Sequence, residues 1–268
     1  PPPAPHPDGL SIARSPPKPA SGAGALSAHV EFLMAGKPNF STCTDGAGGS
    51  TRQTTLDIIA QVKKHFDVPG ASHLTCVGLS VDQLREYLIQ AQRIGVDYIV
   101  ALRGDPPRGE DSFQAPENGL GYANELVTLI RDEFPEYGVA VAGYPETHQE
   151  APSPKVDLEN LKRKVDAGAD VVITQLFYNN DDFLRFRQRY EAAGIQTPLV
   201  PGILPVNSLA QARRVTSMCG ASLPQAFADR LARHDDPAWQ YQVGVDFATQ
   251  QVSDLVKAGV PGIHFYVL

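Results

Sequence analysis

Cysteine is scarce in this sequence, which excludes the protein classes that depend on it. Only three cysteines occur among 268 residues, at Cys43, Cys76 and Cys219. They lie far apart, and no two have the spacing of metal ligands. We therefore expect no disulfide framework and no metal site, and we interpret the thiols as reduced, mostly buried groups of a cytoplasmic protein.

Long apolar runs and an excess of positive charge are also missing. No window approaches the ~18 apolar residues of a membrane-spanning helix, and the N-terminal segment has no apolar core of a signal peptide. The formal net charge is −7, which argues against general binding to nucleic acid or to a membrane surface. We expect neither partner, and we predict a cytoplasmic location.

The sequence does contain enough apolar material for a sizeable core. Apolar residues make up 42% of the chain, so global disorder is not expected. The first residues, PPPAPHPDG, have polyproline character. We predict a flexible proline-rich arm over residues 1–10 and a single domain over residues 11–268.

Short β-rich segments alternate with amphipathic stretches along the rest of the chain. Several are nearly continuous apolar runs, typical of parallel strands covered on both faces. The predicted strands are Ser11–Ser15, Asn39–Thr44, His73–Val77, Tyr98–Leu102, Val139–Gly143, Val171–Gln175, Leu199–Gly202 and Gly262–Tyr266. Eight such units in ~250 residues predict a (β/α)8 TIM barrel of the α/β class, with an open doubly wound sheet as the alternative. A helix after the last strand would complete the repeat, and no helical pattern follows it in this sequence.

A barrel of this kind has its active site at the C-terminal ends of the strands. The segment DGAGGST at residues 45–51 has glycines that would let backbone amides approach a phosphate. It lacks the GxGxxG spacing, so a flexible loop is the alternative. RGDPP is either part of a site or a loop ion pair between Arg103 and Asp105. Singly, His73 and His148 are more often structural than catalytic.

Two further patterns concern polar residues in apolar or helical surroundings. Gln175 ends an apolar strand, where an amide is costly without a partner such as a ligand amide or a pterin edge. The residues Asp157, Asn160, Arg163 and Lys164 share one face of a predicted helix. That face is either solvated or an anion site, because Arg163 and Lys164 carry positive charge. No serine–histidine–aspartate arrangement, metal-ligand cluster or P-loop stands out.

In combination these segments are far more specific than any one of them. The sequence resembles the methylenetetrahydrofolate reductase family from about Ser11 to Leu268, through HLTCVG, ALRGDPP, AGYPETHQEA, DLENLKRKVDAGADVVITQLFYN, PGILPV and HFY in this order. The resemblance implies a (β/α)8 flavoprotein that holds FAD non-covalently at the C-terminal mouth of the barrel. It implies that NADH or NADPH reduces the flavin, which then reduces 5,10-methylenetetrahydrofolate to 5-methyltetrahydrofolate in one-carbon metabolism. The physiological direction and the oligomeric state stay open, a homo-oligomer included.

The resemblance also implies roles for individual residues. Arg163 and Lys164 would face the FAD diphosphate. Asp105 would be catalytic, because its charge near the flavin disfavours the anionic reduced ring. The folate substrate would be bound by Asp105, Gln175 and Gln211. The implied FAD contacts are Thr44, His73, Arg103, Gly104, Asp105, Tyr144, His148, Asp157, Asn160, Arg163, Lys164 and Tyr266.

The sequence departs from the family pattern around the implied substrate pocket. The family's first strand carries a glutamate, the general acid that helps to open the five-membered ring of methylenetetrahydrofolate, and the matching residue here is Ala13. Glu31 is no replacement, because it falls near the end of the first predicted helix, at the opposite mouth. Asp45 stands where the family often has tyrosine, and Val215 where it commonly has an aromatic stacking surface. A wrong register in the first strand is the alternative explanation.

Loss of the acid should slow ring opening, because general acid catalysis contributes ~10²–10⁴-fold. Strands one and two are neighbours, ~4.8 Å apart, so Asp45 is our candidate for supplying the proton as a catalytic residue. Alternatively, the enzyme runs mainly as a 5-methyltetrahydrofolate oxidase or takes electrons from another donor, which Val215 suggests. A folate- or flavin-binding protein without turnover and a flavin barrel acting on an unrelated small molecule are further alternatives.

Overall fold

The computed structural model describes residues 9–14, 31, 33–44, 52–106 and 114–267. Within these ranges nine parallel strands form one sheet. The strands are β1 (Gly9–Arg14), β2 (Phe40–Cys43), β3 (Gly70–Thr75), β4 (Tyr98–Leu102), β5 (Gly138–Gly143), β6 (Val171–Thr174), β7 (Leu199–Val200), β8 (Gly202–Ile203) and β9 (Gly262–Val267). The helices are α1 (Arg52–Phe66), α2 (Val81–Arg93), α3 (Ala123–Glu133), α4 (Pro154–Asp166), α5 (Asn180–Ala192), α6 (Leu209–Cys219), α7 (Gln225–Ala232) and α8 (Pro237–Lys257).

The sheet closes into a barrel because its two edge strands, β7 and β8, are consecutive parts of one interrupted strand. The strand order is β7-β6-β5-β4-β3-β2-β1-β9-β8, and only Pro201 separates β7 from β8 in sequence. β7 pairs with β6, and β8 pairs with β9. The backbone N–H of His264 donates to the Pro201 carbonyl at 3.0 Å, which bridges the interruption. The nine strands therefore occupy eight positions, and the predicted (β/α)8 barrel is confirmed.

The strands appear in the predicted order, with shifts at some ends. β3 begins at Gly70, so His73 lies inside the strand rather than at its start. Small residues such as Gly70 have low β-propensity and gave no sequence signal. Glycine is needed there, because a Cβ would lie 2.5 Å from the side chain of Ile59. β1 begins at Gly9, so Gly9 and Leu10, the last two residues of the predicted arm, belong to the sheet instead. Residues 1–8 of that arm lie outside the described residues.

Alternation along the strands separates an outer core from the barrel interior. Ile12 and Leu74 point outward and belong to the main apolar core between the sheet and the helices. Burying a large apolar side chain in such a core contributes roughly 1.5–3 kcal/mol. The interior is packed by a separate buried cluster of Ala71, Val100, Ala140 and Ile173. Because these side chains fill the interior, a ligand-binding cavity is expected at the C-terminal mouth.

The three thiols are distributed through the fold. Cys43 and Cys76 are buried, Cys219 is half-buried, and none of them forms a disulfide. Within the described ranges, no helix combines the length and the hydropathy needed to cross a bilayer. In the same ranges, no three side chains of His, Cys, Asp or Glu come together as a potential metal site.

Candidate active site

A cavity of about 410 Å³ opens at the C-terminal ends of β4 and β5. The start of α3 and one face of α4 form its other walls. Seven of the predicted FAD contacts line it, namely Arg103, Tyr144, His148, Asp157, Asn160, Arg163 and Lys164. The remaining lining residues are Ala101, Leu102, Tyr122, Ala123, Asn124, Ala142, Glu150, Ala151 and Pro152. The cavity lies where barrels of this class have their active sites.

Arg103 is held in place by a two-point ion pair. Its Nη1 and Nη2 atoms donate to the two carboxylate oxygens of Glu150 at 2.5 and 2.7 Å. Its Nε atom donates to the carbonyl of Gly104 at 3.1 Å. Hydrogen bonding to Arg103 lowers the pKa of Glu150, and the same bond raises the pKa of Arg103. The forked geometry fixes the plane of the guanidinium at the cavity wall.

Helix α4 directs Asp157 and Lys164 toward the cavity, because they lie about two helical turns apart. Asp157 is buried and accepts a hydrogen bond from the backbone N–H of His148 at 3.2 Å. Burial raises the pKa of Asp157. The Nζ atom of Lys164 donates to the Ala142 carbonyl at 2.5 Å, and burial lowers the pKa of Lys164 to about 8.

Arg163 and Asn160 occupy the exposed part of the same helix face. Nη1 of Arg163 donates to Oδ1 of Asn160 at 3.3 Å. In the part of the chain that the structure describes, neither Arg163 nor Lys164 forms an ion pair. Asn160 and Arg163 are exposed while Asp157 is buried and Lys164 is half-buried, so this helix face is only partly solvated. A bound anion would balance the charge of Arg163 and Lys164.

Tyr144 and His148 form the base of the loop between β5 and α4. Their rings meet edge to face at a centroid distance of 4.6 Å, and Nζ of Lys164 lies 5.8 Å from the centre of the Tyr144 ring. The backbone N–H of Glu150 donates to Nδ1 of His148 at 3.2 Å. In a neutral ring this leaves the proton on Nε2, so His148 offers a donor there.

Two histidines lie inside the barrel below the mouth. His73 meets Oγ1 of Thr42 at 3.3 Å, and His264 meets Oγ of Ser11 at 2.7 Å. Burial lowers the pKa of His73 to about 4. Burial, with a smaller effect of His73, lowers the pKa of His264 to about 3. Both rings are therefore neutral at physiological pH, and they form a polar but uncharged floor.

Ala13 lies on the inner wall of the barrel near the mouth. It pairs in register with Thr42 of β2 and Tyr266 of β9, and it is 2% exposed. Its neighbour Ile12 packs into the outer core, so alternation directs Ala13 inward. The hydroxyl of Tyr266 donates to the Thr174 carbonyl at 2.8 Å. The structure therefore places a methyl group at this inner position.

The predicted substrate contacts are not part of this cavity wall. Asp105 is exposed, three residues beyond the end of β4. Oε1 of Gln175 accepts from the backbone N–H of its neighbour Leu176 at 2.9 Å. Oε1 of Gln211 accepts from the backbone N–H of Asn207 at 2.8 Å. Their predicted roles stay predictions.

Two other residues singled out in the sequence, Val215 and Thr44, do not line the cavity. Val215 is 5% exposed and packs in a buried cluster with Phe227 and Leu231 of α7, so it is not a surface at the mouth. The Thr44 carbonyl accepts a hydrogen bond from Thr55 at 3.0 Å. Asp45, the predicted proton donor, lies outside the described residues.

The structure adds residues that the motifs did not identify. Glu150 lies within the quoted segment AGYPETHQEA, but only its contact with Arg103 shows its importance. Tyr122, Ala123 and Asn124 line the cavity at the start of α3, a helix whose beginning is hard to recognise in the sequence. The cue in the sequence was weak, because the N-cap position is held by Tyr122 rather than by Ser, Thr, Asp or Asn.

Comparison with known proteins identifies relatives along nearly the whole chain. The family profile of methylenetetrahydrofolate reductase matches residues 8–268. The 5,10-methylenetetrahydrofolate reductase of Escherichia coli K12 is 40% identical over 89% of this chain and 79% of its own length. Methylenetetrahydrofolate reductase (NADH) 1 of Zea mays is 36% identical over 94% of this chain and 44% of its own length. The chain therefore spans less than half of the plant relative.

Among solved structures, one example is similar in fold over nearly the whole chain. It is a protein from Clostridium thermocellum that is described as binding two copies of 5-methyl-5,6,7,8-tetrahydrofolic acid. The TM-score is 0.63 at 13% identity, and the match covers 98% of this chain and 91% of the other. At this level of identity the likeness concerns the fold alone.

Proposed function

This chain belongs to the methylenetetrahydrofolate reductase family, and we propose that it catalyses the oxidoreductase reaction between 5,10-methylenetetrahydrofolate and 5-methyltetrahydrofolate. The observation that carries the proposal is the cavity at the ends of β4 and β5. It gathers seven side chains that the family motifs associate with FAD. NADH is the proposed electron donor, since the plant relatives are named for it.

FAD is the cofactor that we propose for this cavity, and the side chains present fit it. Arg163 and Lys164, which form no ion pair among the described residues, would balance the charge of a diphosphate. Small side chains such as Ala142 and Ala151 leave room on the walls. When bound, FAD would serve as the hydride carrier between a reduced nicotinamide and the folate.

The residues of the chain would bind and orient these groups. Glu150 holds the guanidinium of Arg103, and Asp157 holds the backbone at His148. His73 would contribute a neutral ring below the flavin, because burial lowers its pKa to about 4. Asp105 would place negative charge near the flavin, and Gln175 would bind the pterin through its amide.

The proposed acid chemistry differs from that of the family. Ala13 on the inner wall cannot transfer a proton. We assign this step to Asp45, which lies three residues beyond Thr42, the β2 partner of Ala13 in the sheet. In this role Asp45 would donate a proton to the ring nitrogen that leaves as the five-membered ring opens.

The second candidate function is binding of folate and flavin without efficient NADH-dependent turnover, or oxidation of 5-methyltetrahydrofolate with another acceptor. The inward methyl group of Ala13 favours it, because loss of the acid affects ring opening while flavin reduction needs no such group. Turnover with 5-methyltetrahydrofolate and an artificial electron acceptor separates the oxidase from the binding protein.

One experiment tests the leading proposal. The absorption spectrum of the purified protein is followed anaerobically as NADH and then, in a fresh sample, 5-methyltetrahydrofolate is added. We expect a bound-flavin spectrum that is bleached by each donor. Protein that carries no flavin and takes up none when FAD is added would rule the proposal out. Bleaching by 5-methyltetrahydrofolate alone would favour the oxidase.

A further inference from the structure

Thr75 is the last residue of β3, at the mouth end of the barrel wall. Its Oγ1 atom is buried and has no hydrogen-bond partner among the described residues. A buried hydroxyl without a partner destabilises a protein, so such groups are rare and need an explanation. A bound ligand that completes the hydrogen bond is one explanation that the position of Thr75 supports.

Thr75 points into the barrel, toward its mouth. Along β3, Oγ of Ser72 reaches the hydroxyl of Tyr87 on the outer side at 2.5 Å. His73 meets Thr42 inside the barrel at 3.3 Å. Thr75 lies two residues beyond His73 and therefore shares its inward face. It is one layer nearer to the mouth than His73, which is itself a proposed FAD contact.

Thr75 also lies against the loop that carries Arg103, Gly104 and Asp105. A Cβ atom added at Gly104 would be 3.2 Å from the Cβ of Thr75, so the two residues are close neighbours. In the sheet, Thr75 pairs with Leu102, which lines the cavity. Proposed FAD contacts therefore lie beside and below Thr75 on the inner wall.

We propose that the Thr75 hydroxyl forms a hydrogen bond with the flavin ring of bound FAD. This inference rests on the proposed function, since it requires FAD at the barrel mouth. The edge of a flavin ring carries carbonyl oxygens and ring nitrogens, and a hydroxyl both donates and accepts, so it can pair with either. Bound FAD would thereby satisfy a group for which the described residues offer no partner.

Ser41 offers a matched control. Its Oγ atom is also buried without a partner among the described residues. It alternates with Thr42, whose side chain meets His73 inside the barrel, so Ser41 lies on the outer face of β2. Ser41→Ala therefore removes a comparable buried hydroxyl that lies away from the barrel mouth.

The test measures the Kd of FAD and the Tm of the FAD-free protein for Thr75→Val, Thr75→Ser and Ser41→Ala. Thr75→Val is expected to raise the Kd about threefold to tenfold, the effect of losing one hydrogen bond. Its FAD-free Tm is expected to stay level or rise, because an unsatisfied hydroxyl has been removed. Thr75→Ser and Ser41→Ala are expected to keep the Kd within about twofold of wild type.

Three results would overturn the inference. The first is an unchanged Kd of FAD in Thr75→Val. The second is a Thr75→Val variant that loses affinity for 5-methyltetrahydrofolate while its affinity for FAD stays the same. The third is wild-type protein that binds no FAD. This third result also overturns the proposed function, whereas the first two overturn only the role of Thr75. If Thr75→Val does not fold, Thr75→Ala provides the same comparison.

Discussion

Arg103 and Glu150 join two neighbouring loops at the cavity mouth through a forked ion pair, with N–O distances of 2.5 and 2.7 Å. Arg103 follows β4, and Glu150 lies between β5 and α4. The backbone N–H of Glu150 also donates to Nδ1 of His148 at 3.2 Å. Glu150 therefore orients two side chains of the proposed FAD site without being a proposed contact itself.

Replacing Glu150 by Gln should weaken FAD binding without unfolding the protein. The change removes the charged partner of Arg103, so we expect the Kd of FAD to rise about threefold to tenfold. Glu150 is half-exposed, so the free energy of unfolding should change by less than ~1 kcal/mol. The control is Asp166→Asn, which breaks the exposed Lys162–Asp166 pair away from the cavity. Equal FAD affinity in the two variants would contradict this role.

Stability should fall as the pH drops below the ordinary pKa of histidine, 6.5. His73 and His264 have folded-state pKa values of about 4 and about 3. The unfolded chain therefore takes up protons first, and the stability is progressively lost as the pH falls from 6.5 toward these values. Each histidine adds a slope of up to about 1.4 kcal/mol per pH unit.

Urea unfolding between about pH 7 and about pH 5 measures this slope. His73→Asn should reduce it, and His65→Asn, at an exposed position on α1, should leave it unchanged. A free energy of unfolding that stays constant over this range would show that the buried rings do not titrate as described.

FAD binding should weaken as the pH rises through the pKa of Lys164, about 8. Deprotonation removes the positive charge, so affinity for the diphosphate should be lost between about pH 7 and about pH 9. Lys164→Arg keeps the charge throughout and should remove this pH dependence. Lys164→Gln should bind FAD weakly at every pH. The same pH profile for wild type and Lys164→Arg would argue against a role for this lysine.

Ala13→Glu should increase the turnover of methylenetetrahydrofolate. The inward position near the mouth would give the new carboxyl access to the substrate. General acid catalysis supplies ~10²–10⁴-fold, and a large part of this factor is the expected gain. Ala13→Gln has the same size without the proton and serves as the control. An equal gain in both variants would point to packing rather than to proton transfer.

Asp45→Asn should reduce methylenetetrahydrofolate turnover while leaving flavin reduction by NADH unchanged. The amide cannot donate the proton that opens the ring, so only the folate half-reaction should slow. Stopped-flow measurement of both half-reactions separates the two effects. Unchanged folate turnover in Asp45→Asn would eliminate this residue as the acid.

The strands could be predicted because their signal is local. Tyr98–Leu102 is an apolar run between polar segments, and it became β4 with the same bounds. α3 gave a weaker signal, because Tyr122 at its N-cap position is not a capping residue. The start of β3 also escaped prediction, since Gly70 suits that position through its contact with Ile59 of α1.

The residues of the candidate site likewise fall into those that the sequence could identify and those that it could not. Motifs identified Arg103, Tyr144 and Lys164, because residue type and order along the chain suffice to recognise a family pattern, and the substitution at Ala13 was readable in the same way. The importance of Glu150 and Thr75 depends instead on contacts between loops and strands that are distant in sequence. Hydrogen-bond partners and unsatisfied buried atoms are properties of packing, which exist only once the barrel has closed.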